Sequence, residues 1–163
     1  MEKTLQSYTP VSLEQMKAVR LMNRIDTKYV TTLPKLVRLL EMAREQYWVQ
    51  EIDGRRNMPY YTLYYDTERC DMYLEHLRGR KTRQKIRIRA YEHSGVSFLE
   101  VKNKNNKGRT KKKRVRIDSL ALRHDMQGYG KIEMPVGAFI EQYSNYHLDK
   151  LSPHLRTLFQ RIT

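Results

Sequence analysis

Apolar positions along this chain recur with a period near 3.6 in some stretches and near two in others, and the switches between the two mark its expected elements. Ser12 is placed to cap a short helix over 13–20, with Glu14 and Gln15 in the first turn. Residues 22–31 then alternate, setting Arg24, Asp26 and Lys28 on one face of a strand and Ile25, Thr27 and Tyr29 on the other. Thr32 can cap a second helix with Pro34 in its first turn. Leu33, Leu36, Val37 and Leu40 form its i, i+3, i+4, i+7 stripe, expected to pack inward. Two β-rich runs, 47–52 and 60–66, are joined through Asp53-Gly54-Arg55-Arg56, a turn signal that predicts a hairpin of neighbouring antiparallel strands. Thr67 opens a helical stretch reaching Leu77 that directs Met72, Tyr73 and Leu77 inward, and Gly79 ends it.

Strict alternation returns over 81–92, 96–105 and 109–117, separated by turns at His93-Ser94-Gly95 and Asn105-Asn106-Lys107-Gly108. In the first of these strands Lys85, Arg87, Arg89 and Tyr91 share one face, opposite Ile86, Ile88 and Ala90. In the second, Phe98, Glu100, Lys102 and Lys104 oppose Leu99 and Val101; in the third, Lys112, Arg114 and Arg116 oppose Val115 and Ile117. Two more helices are predicted, 135–146 with apolar Phe139, Ile140 and Tyr143, and 153–162 with Ser152 as N-cap, Pro153 at N1 and Leu155, Leu158 and Phe159 as the buried stripe. The expected class is α+β: a twisted antiparallel sheet, one face cationic and the other covered by helices.

Composition sharpens that picture by placing the charge. The 163 residues suffice for one domain with a core, no Gly/Ser- or Pro-rich tract divides them, and the formal net charge is +14. Residues 78–116 hold sixteen Lys/Arg against two acids, Glu92 and Glu100, so the entire excess lies in this one segment, which carries the three alternating strands. A half-buried sheet whose charged side merely faces water would also alternate. Like charges opposed across paired strands are destabilising, however, and arginines two apart offer paired forks for phosphate oxygens. A phosphate-rich partner is therefore the expected relief. Glu100 reads as charge relief for the lysines around it, or as a carboxylate that orients Lys102 or holds a divalent cation. Arg24, Asp26 and Lys28 repeat the composition of cations around one acid, which places them beside the same cavity.

Other chemistry finds little purchase. The lone Cys70 has no second thiol or histidine cluster near it in sequence, and the five histidines are dispersed. No GxxxxGK[ST] loop, GxGxxG turn, HExxH pair or GxSxG elbow occurs. The N-terminus has no apolar leader and no run approaches the roughly 18 apolar residues of a membrane span, so a cytoplasmic setting is expected, with association at the inner membrane surface through basic residues left open.

Several segments, in this order and spacing, resemble the polyphosphate polymerase or VTC domain of the triphosphate tunnel superfamily. They are 23–30 (NRIDTKYV), 64–76 (YYDTERCDMYLEH), 85–91 (KIRIRAY), 98–104 (FLEVKNK) and 110–117 (TKKKRVRI). The resemblance implies an antiparallel tunnel lined by basic residues that binds ATP, with a divalent metal (Mn or Mg), and a growing polyphosphate chain to which the terminal phosphoryl group passes. Carried over position by position, Lys28, Arg87, Arg89 and Lys102 match the tunnel residues expected to act in catalysis. Arg24, Lys85, Lys104, Lys112 and Arg114 are expected to bind substrate, with the register of 110–117 open between Lys112 and Arg114, and Glu100 is the candidate metal ligand. Hydrolase and cyclase relatives resemble an ExExK pattern at the first strand, where Arg24, Asp26 and Lys28 stand here, which argues against those activities. The resemblance also implies that the chain is the N-terminal part of the domain, since the family's later strands, further arginines and late acidic metal ligand would follow Thr163. A second copy is one way to complete the tunnel.

Two other functions stay in view. One is a module that holds polyphosphate or nucleotide without turnover. The other is an RNA- or DNA-binding domain, which ranks behind because only Tyr91 and Phe98 within 78–116 offer aromatic stacking platforms.

Overall fold

The computed structural model describes residues 1–17, 27–91, 93–117 and 136–163. Its contacts divide into two compact units, Met1–Met58 with Gln160–Thr163, and Pro59–Phe159. None of the described helices is long and apolar enough to cross a membrane.

The first unit contains α1 (Glu2–Gln6), β1 (Thr9–Val11), α2 (Leu13–Lys17), α3 (Leu33–Ala43) and β2 (Trp48–Gln50). α2 opens on a reciprocal capping box: the Gln15 amide donates to Ser12 Oγ at 3.2 Å and the Ser12 amide to Gln15 Oε1 at 2.8 Å. The continuation of that helix to residue 20 and the first half of the expected strand 22–31 lie outside the described residues, while 27–31 are exposed and form no strand. α3 follows its expectation, with Thr32 as N-cap and Pro34 in the first turn. Of its stripe, Leu36, Val37 and Leu40 are half-buried and Leu33 is exposed. A small core of Leu5, Tyr8 and Val49 holds this unit, with Leu40 and Ile162 packed against it.

The expected hairpin between 47–52 and 60–66 does not form. β2 pairs instead with β1, in parallel, from Thr9 opposite Trp48 to Val11 opposite Gln50. Asp53 (φ 48°) and Gly54 (φ 75°) do make a tight reversal, but it closes on a single bridge between Ile52 and Arg55. Arg56 explains why the ladder stops there. Its guanidinium donates to the carbonyls of Leu5 (2.6 Å) and Tyr8 (3.0 Å) and to Glu51 (2.7 Å), drawing the returning chain to the end of α1 rather than along β2.

The second unit is built on a sheet of five strands in the order β6-β5-β4-β3-β7. These are β3 (Met58–Asp66), β4 (Arg83–Tyr91), β5 (Val96–Lys104), β6 (Thr110–Ile117) and β7 (Ser152–Arg161), with α4 (Asp71–Leu77) and α5 (Val136–Tyr143) between them in sequence. β3 to β6 are antiparallel neighbours in chain order, and the three strands expected from alternation all form. Their apolar positions build the main core: Leu63, Tyr65, Ile86, Ile88, Leu99 and Val101, closed by Met72 of α4 and Ile140 of α5. Gln84 and Asn103, opposite each other on β4 and β5, bond to one another and clamp the end of α5. Gln84 Oε1 accepts the Asn145 amide at 2.8 Å, and Asn103 Nδ2 donates to the Tyr143 carbonyl at 3.2 Å. The sheet is open: no barrel closes among the described residues.

Two helical expectations are corrected here. Residues 153–162 are strand, not helix: β7 lies beside β3 at the sheet's edge, where Pro153 near the strand start is tolerated, and Leu155 and Leu158 are exposed rather than buried. The other helix begins at Asp71 rather than Thr67, and only Met72 of its three expected core residues is buried. The delay comes from a cap built by the end of β3. Buried Asp66 accepts the amides of Thr67 (2.8 Å), Met72 (2.9 Å) and Tyr73 (2.9 Å), while Thr67 Oγ1 accepts the Asp71 amide at 3.2 Å. Asp66→Ala is expected to cost about 2–3 kcal/mol in chemical denaturation, because three donors lose a charged acceptor at once. A loss within experimental error would show that water replaces the carboxylate.

Candidate polyanion-binding face

The register places the cationic side chains in rows. Lys85 stands opposite Lys102, and Lys102 opposite Lys112; the next row is Arg87, Glu100 and Arg114, and the next Arg89, Phe98 and Arg116. Lys104 lies opposite Arg83 in the row beyond Lys102. This settles the register of β6, because Lys112 and Arg114 both share the face of Lys102 and Glu100. Rows are separated by two residues, roughly 6.6–6.8 Å, and neighbouring strands by roughly 4.8 Å.

Glu100 is fully buried at the centre of this face, and both of its oxygens are engaged. Arg87 grips Oε2 through Nε (2.7 Å) and Nη2 (2.6 Å), and Lys112 Nζ reaches Oε1 at 3.1 Å. Burial alone would raise the Glu100 pKa, but the hydrogen bonds and charges of Arg87 and Lys112 outweigh it and hold the carboxyl below the usual range. Burial likewise works against the Arg87 charge and is overcome by Glu100 and Tyr64, so its pKa is raised. Arg87 is thus a buried, committed cation; its remaining arm meets Tyr64 Oη at 3.3 Å.

Lys102 stands differently. It is half-buried and makes no hydrogen bond or ion pair among the described residues. Burial, then the charges of Arg87, Lys112 and Arg89, lower its pKa, against a smaller opposing pull from Glu100. Among the described residues Arg89 meets a hydroxyl and rings: Nε donates to Thr62 Oγ1 at 3.3 Å, and the guanidinium lies 5.4 Å from the Tyr60 centroid and 5.6 Å from that of Phe159. Arg114 stacks 4.4 Å over Phe98. The face therefore brings together Lys85, Arg87, Arg89, Glu100, Lys102, Lys104, Lys112 and Arg114. Lys28 is exposed in the irregular stretch 27–31 of the first unit, and Arg24 lies outside the described residues.

Sequence reasoning missed what β3 and β7 contribute. Because β3 pairs with β4, Tyr60, Thr62 and Tyr64 fall opposite Tyr91, Arg89 and Arg87, and Phe159 of β7 stacks on Tyr60 at 5.3 Å. The alternating tyrosines of 60–65 were the available signal, but the mistaken hairpin partner hid which face they join. No group of three or more His, Cys, Asp or Glu among the described residues is placed to hold a metal ion. Both oxygens of Glu100, the candidate metal ligand, are taken by Arg87 and Lys112.

No curated protein matches the chain. The model of one family, described as the VTC domain, matches residues 23–163, which include every strand of the cationic face. The chain belongs to the VTC domain family.

Proposed function

We propose that the face formed by β4, β5 and β6 binds a triphosphate and a polyphosphate chain, and that in the tunnel such a face would line, the terminal phosphoryl group of ATP passes to the chain end. One observation carries this reading: Lys102 sits between Lys85 and Lys112 across paired strands with no carboxylate of its own among the described residues, because Glu100 is already committed to Arg87 and Lys112. Such a row is relieved by an anion with several charges at phosphate spacing. In the transfer, an oxygen of the terminal chain phosphate bonds to the γ-phosphorus while the bond from that phosphorus to the β,γ-bridging oxygen breaks, and ADP leaves with the electron pair. The attacking oxygen is already anionic at neutral pH, so positioning and charge neutralisation suffice and no activated side-chain nucleophile is needed. Lys102, Arg89, Lys85, Lys104, Lys112 and Arg114 are assigned to hold the phosphates, with Arg87 positioned by Glu100.

A single-stranded nucleic acid is the rival, and the aromatic cluster of Tyr60, Tyr91, Phe98 and Phe159 favours it more than the sequence did. Titrating labelled polyphosphate, ATP with manganese and a single-stranded oligonucleotide at matched salt, while following labelled phosphate for chain growth, separates the two. Polyphosphate and ATP are expected to bind ahead of the oligonucleotide. An oligonucleotide that outcompetes both would replace this reading with the nucleic-acid one.

A further inference from the structure

Arg87 and Arg89 stand two residues apart on β4 and are held in opposite ways. The Glu100 carboxylate grips Arg87 at 2.7 and 2.6 Å, which fixes its guanidinium and neutralises its charge. Arg89 has an uncharged residue across from it on each neighbouring strand, Thr62 on β3 and Phe98 on β5. Its Nε donates to Thr62 Oγ1 at 3.3 Å. Its guanidinium lies against the rings of Tyr60 and Phe159, which stack on each other with their planes 13° apart. Neither Nη nitrogen donates to a partner among the described residues.

Thr62 is 0% exposed. A valine would suit a strand there equally well, and a hydroxyl removed from water is costly unless it is hydrogen-bonded; Arg89 Nε is the group it meets. The arrangement has a consequence for ligand binding. A loose guanidinium gives up rotamer freedom when it grips a ligand, and one already paired with a carboxylate has less charge to offer. A hydroxyl on Nε and rings against the guanidinium fix Arg89 without neutralising it. What stays open is the Nη pair, the fork that matches two oxygens of one phosphate.

We infer that Thr62 and Phe159 are positioning residues for phosphate that act through Arg89: an uncharged cradle that aims its Nη fork at a polyphosphate. The inference rests on the polyanion reading of this face and names what sets the grip of one of its cations. Fluorescence anisotropy with end-labelled polyphosphate over a range of salt concentrations tests it. Arg89→Met is expected to weaken binding about ten-fold and to flatten the salt dependence of log affinity by about one. Thr62→Val is expected to weaken binding about five-fold, the size of a typical net hydrogen bond, and Phe159→Leu about three-fold, as for a partly exposed cation–π contact. Both should keep the wild-type salt slope, because the cradle carries no charge. Thr62→Ser, which retains the hydroxyl, should bind like the wild type. In an Arg89→Met background neither Thr62→Val nor Phe159→Leu should cost anything further. Urea denaturation checks that each variant folds, and Phe159→Leu carries the same comparison if Thr62→Val does not. Losses of equal size with and without Arg89, or a slope that flattens with Thr62→Val, would show that the sheet was disturbed rather than the aim of Arg89, and would overturn the inference. Unchanged affinity in both single variants overturns it too. A wild type that does not bind polyphosphate removes the polyanion reading itself, and the cradle's role with it.

Discussion

Glu100→Gln is expected to lower the unfolding free energy by about 3 kcal/mol, the size of effect seen when one partner of a buried ion pair is removed. The loss comes chiefly from Arg87, whose guanidinium is nearly as buried as the carboxylate and would be left without a counter-charge. Lys112, more exposed, contributes less because water screens it. The same carboxylate gives stability a pH dependence with a definite sign. Its pKa is depressed in the folded chain, so its contribution is complete above the ordinary value of 4.5 and is lost as pH falls through the folded value. Urea denaturation of wild type and variant from neutral to acid pH measures both effects: the two curves should converge in acid. Added polyphosphate should raise the melting temperature of the variant more than that of the wild type, because the anion takes over part of the lost charge. Parallel curves at all pH values would show that Glu100 contributes no charge to folding.

The second large effect concerns binding. Replacing Lys102 and Arg89 together by Gln is expected to weaken polyphosphate binding about a hundred-fold at low salt, since in the proposed site each cation would make charge-assisted contacts with phosphate and neither is held by a carboxylate among the described residues. The dependence of log affinity on log salt should flatten by about one for each cation removed. Fluorescence anisotropy with end-labelled polyphosphate reads both quantities, and Lys107→Gln in the exposed turn serves as the control expected to change little. Arg87 is the wrong residue for this experiment, because its loss would unfold the site before it tested binding. A proton signature should accompany the event. The Lys102 pKa lies below its ordinary 10.5, pushed down by burial and by Arg87, Lys112 and Arg89, and a bound polyanion would raise it again. Binding at alkaline pH should therefore take up protons, detectable as a dependence of the binding heat on the buffer, and the double variant should lose that uptake. Unchanged affinity in the double variant would place the polyanion site elsewhere.

The regular part of the site was legible in sequence because strand periodicity is local. A residue's parity along a strand decides which face it joins, so Lys85, Arg87 and Arg89, then Glu100 and Lys102, could be sorted before any pairing was known. The glycines of the two turns made neighbouring strands into antiparallel partners, and Gly95 (φ 62°) and Gly108 (φ 77°) do take the left-handed conformation such turns use. Where a strand's partner was distant, the same reasoning failed. Residues 47–52 found β1 rather than 60–66, and 153–162 carried a helical spacing of apolar residues that an edge strand overrode.

What the sequence by itself determined is therefore the character of three strands and of one face: the charge, its alternation, the absence of any nucleophile motif, and the resemblance to the VTC domain. Only the tertiary structure decided which of those charges are available. Glu100 could have relieved any of its neighbours, and it is the cross-strand register together with burial that commits it to Arg87 and Lys112 and leaves Lys102 and Arg89 without an acid among the described residues. The reason is physical. Periodicity is set residue by residue along the backbone, whereas an ion pair in a low-dielectric interior depends on which side chains meet within a few ångströms, and that depends on strands brought together from 60 to 159.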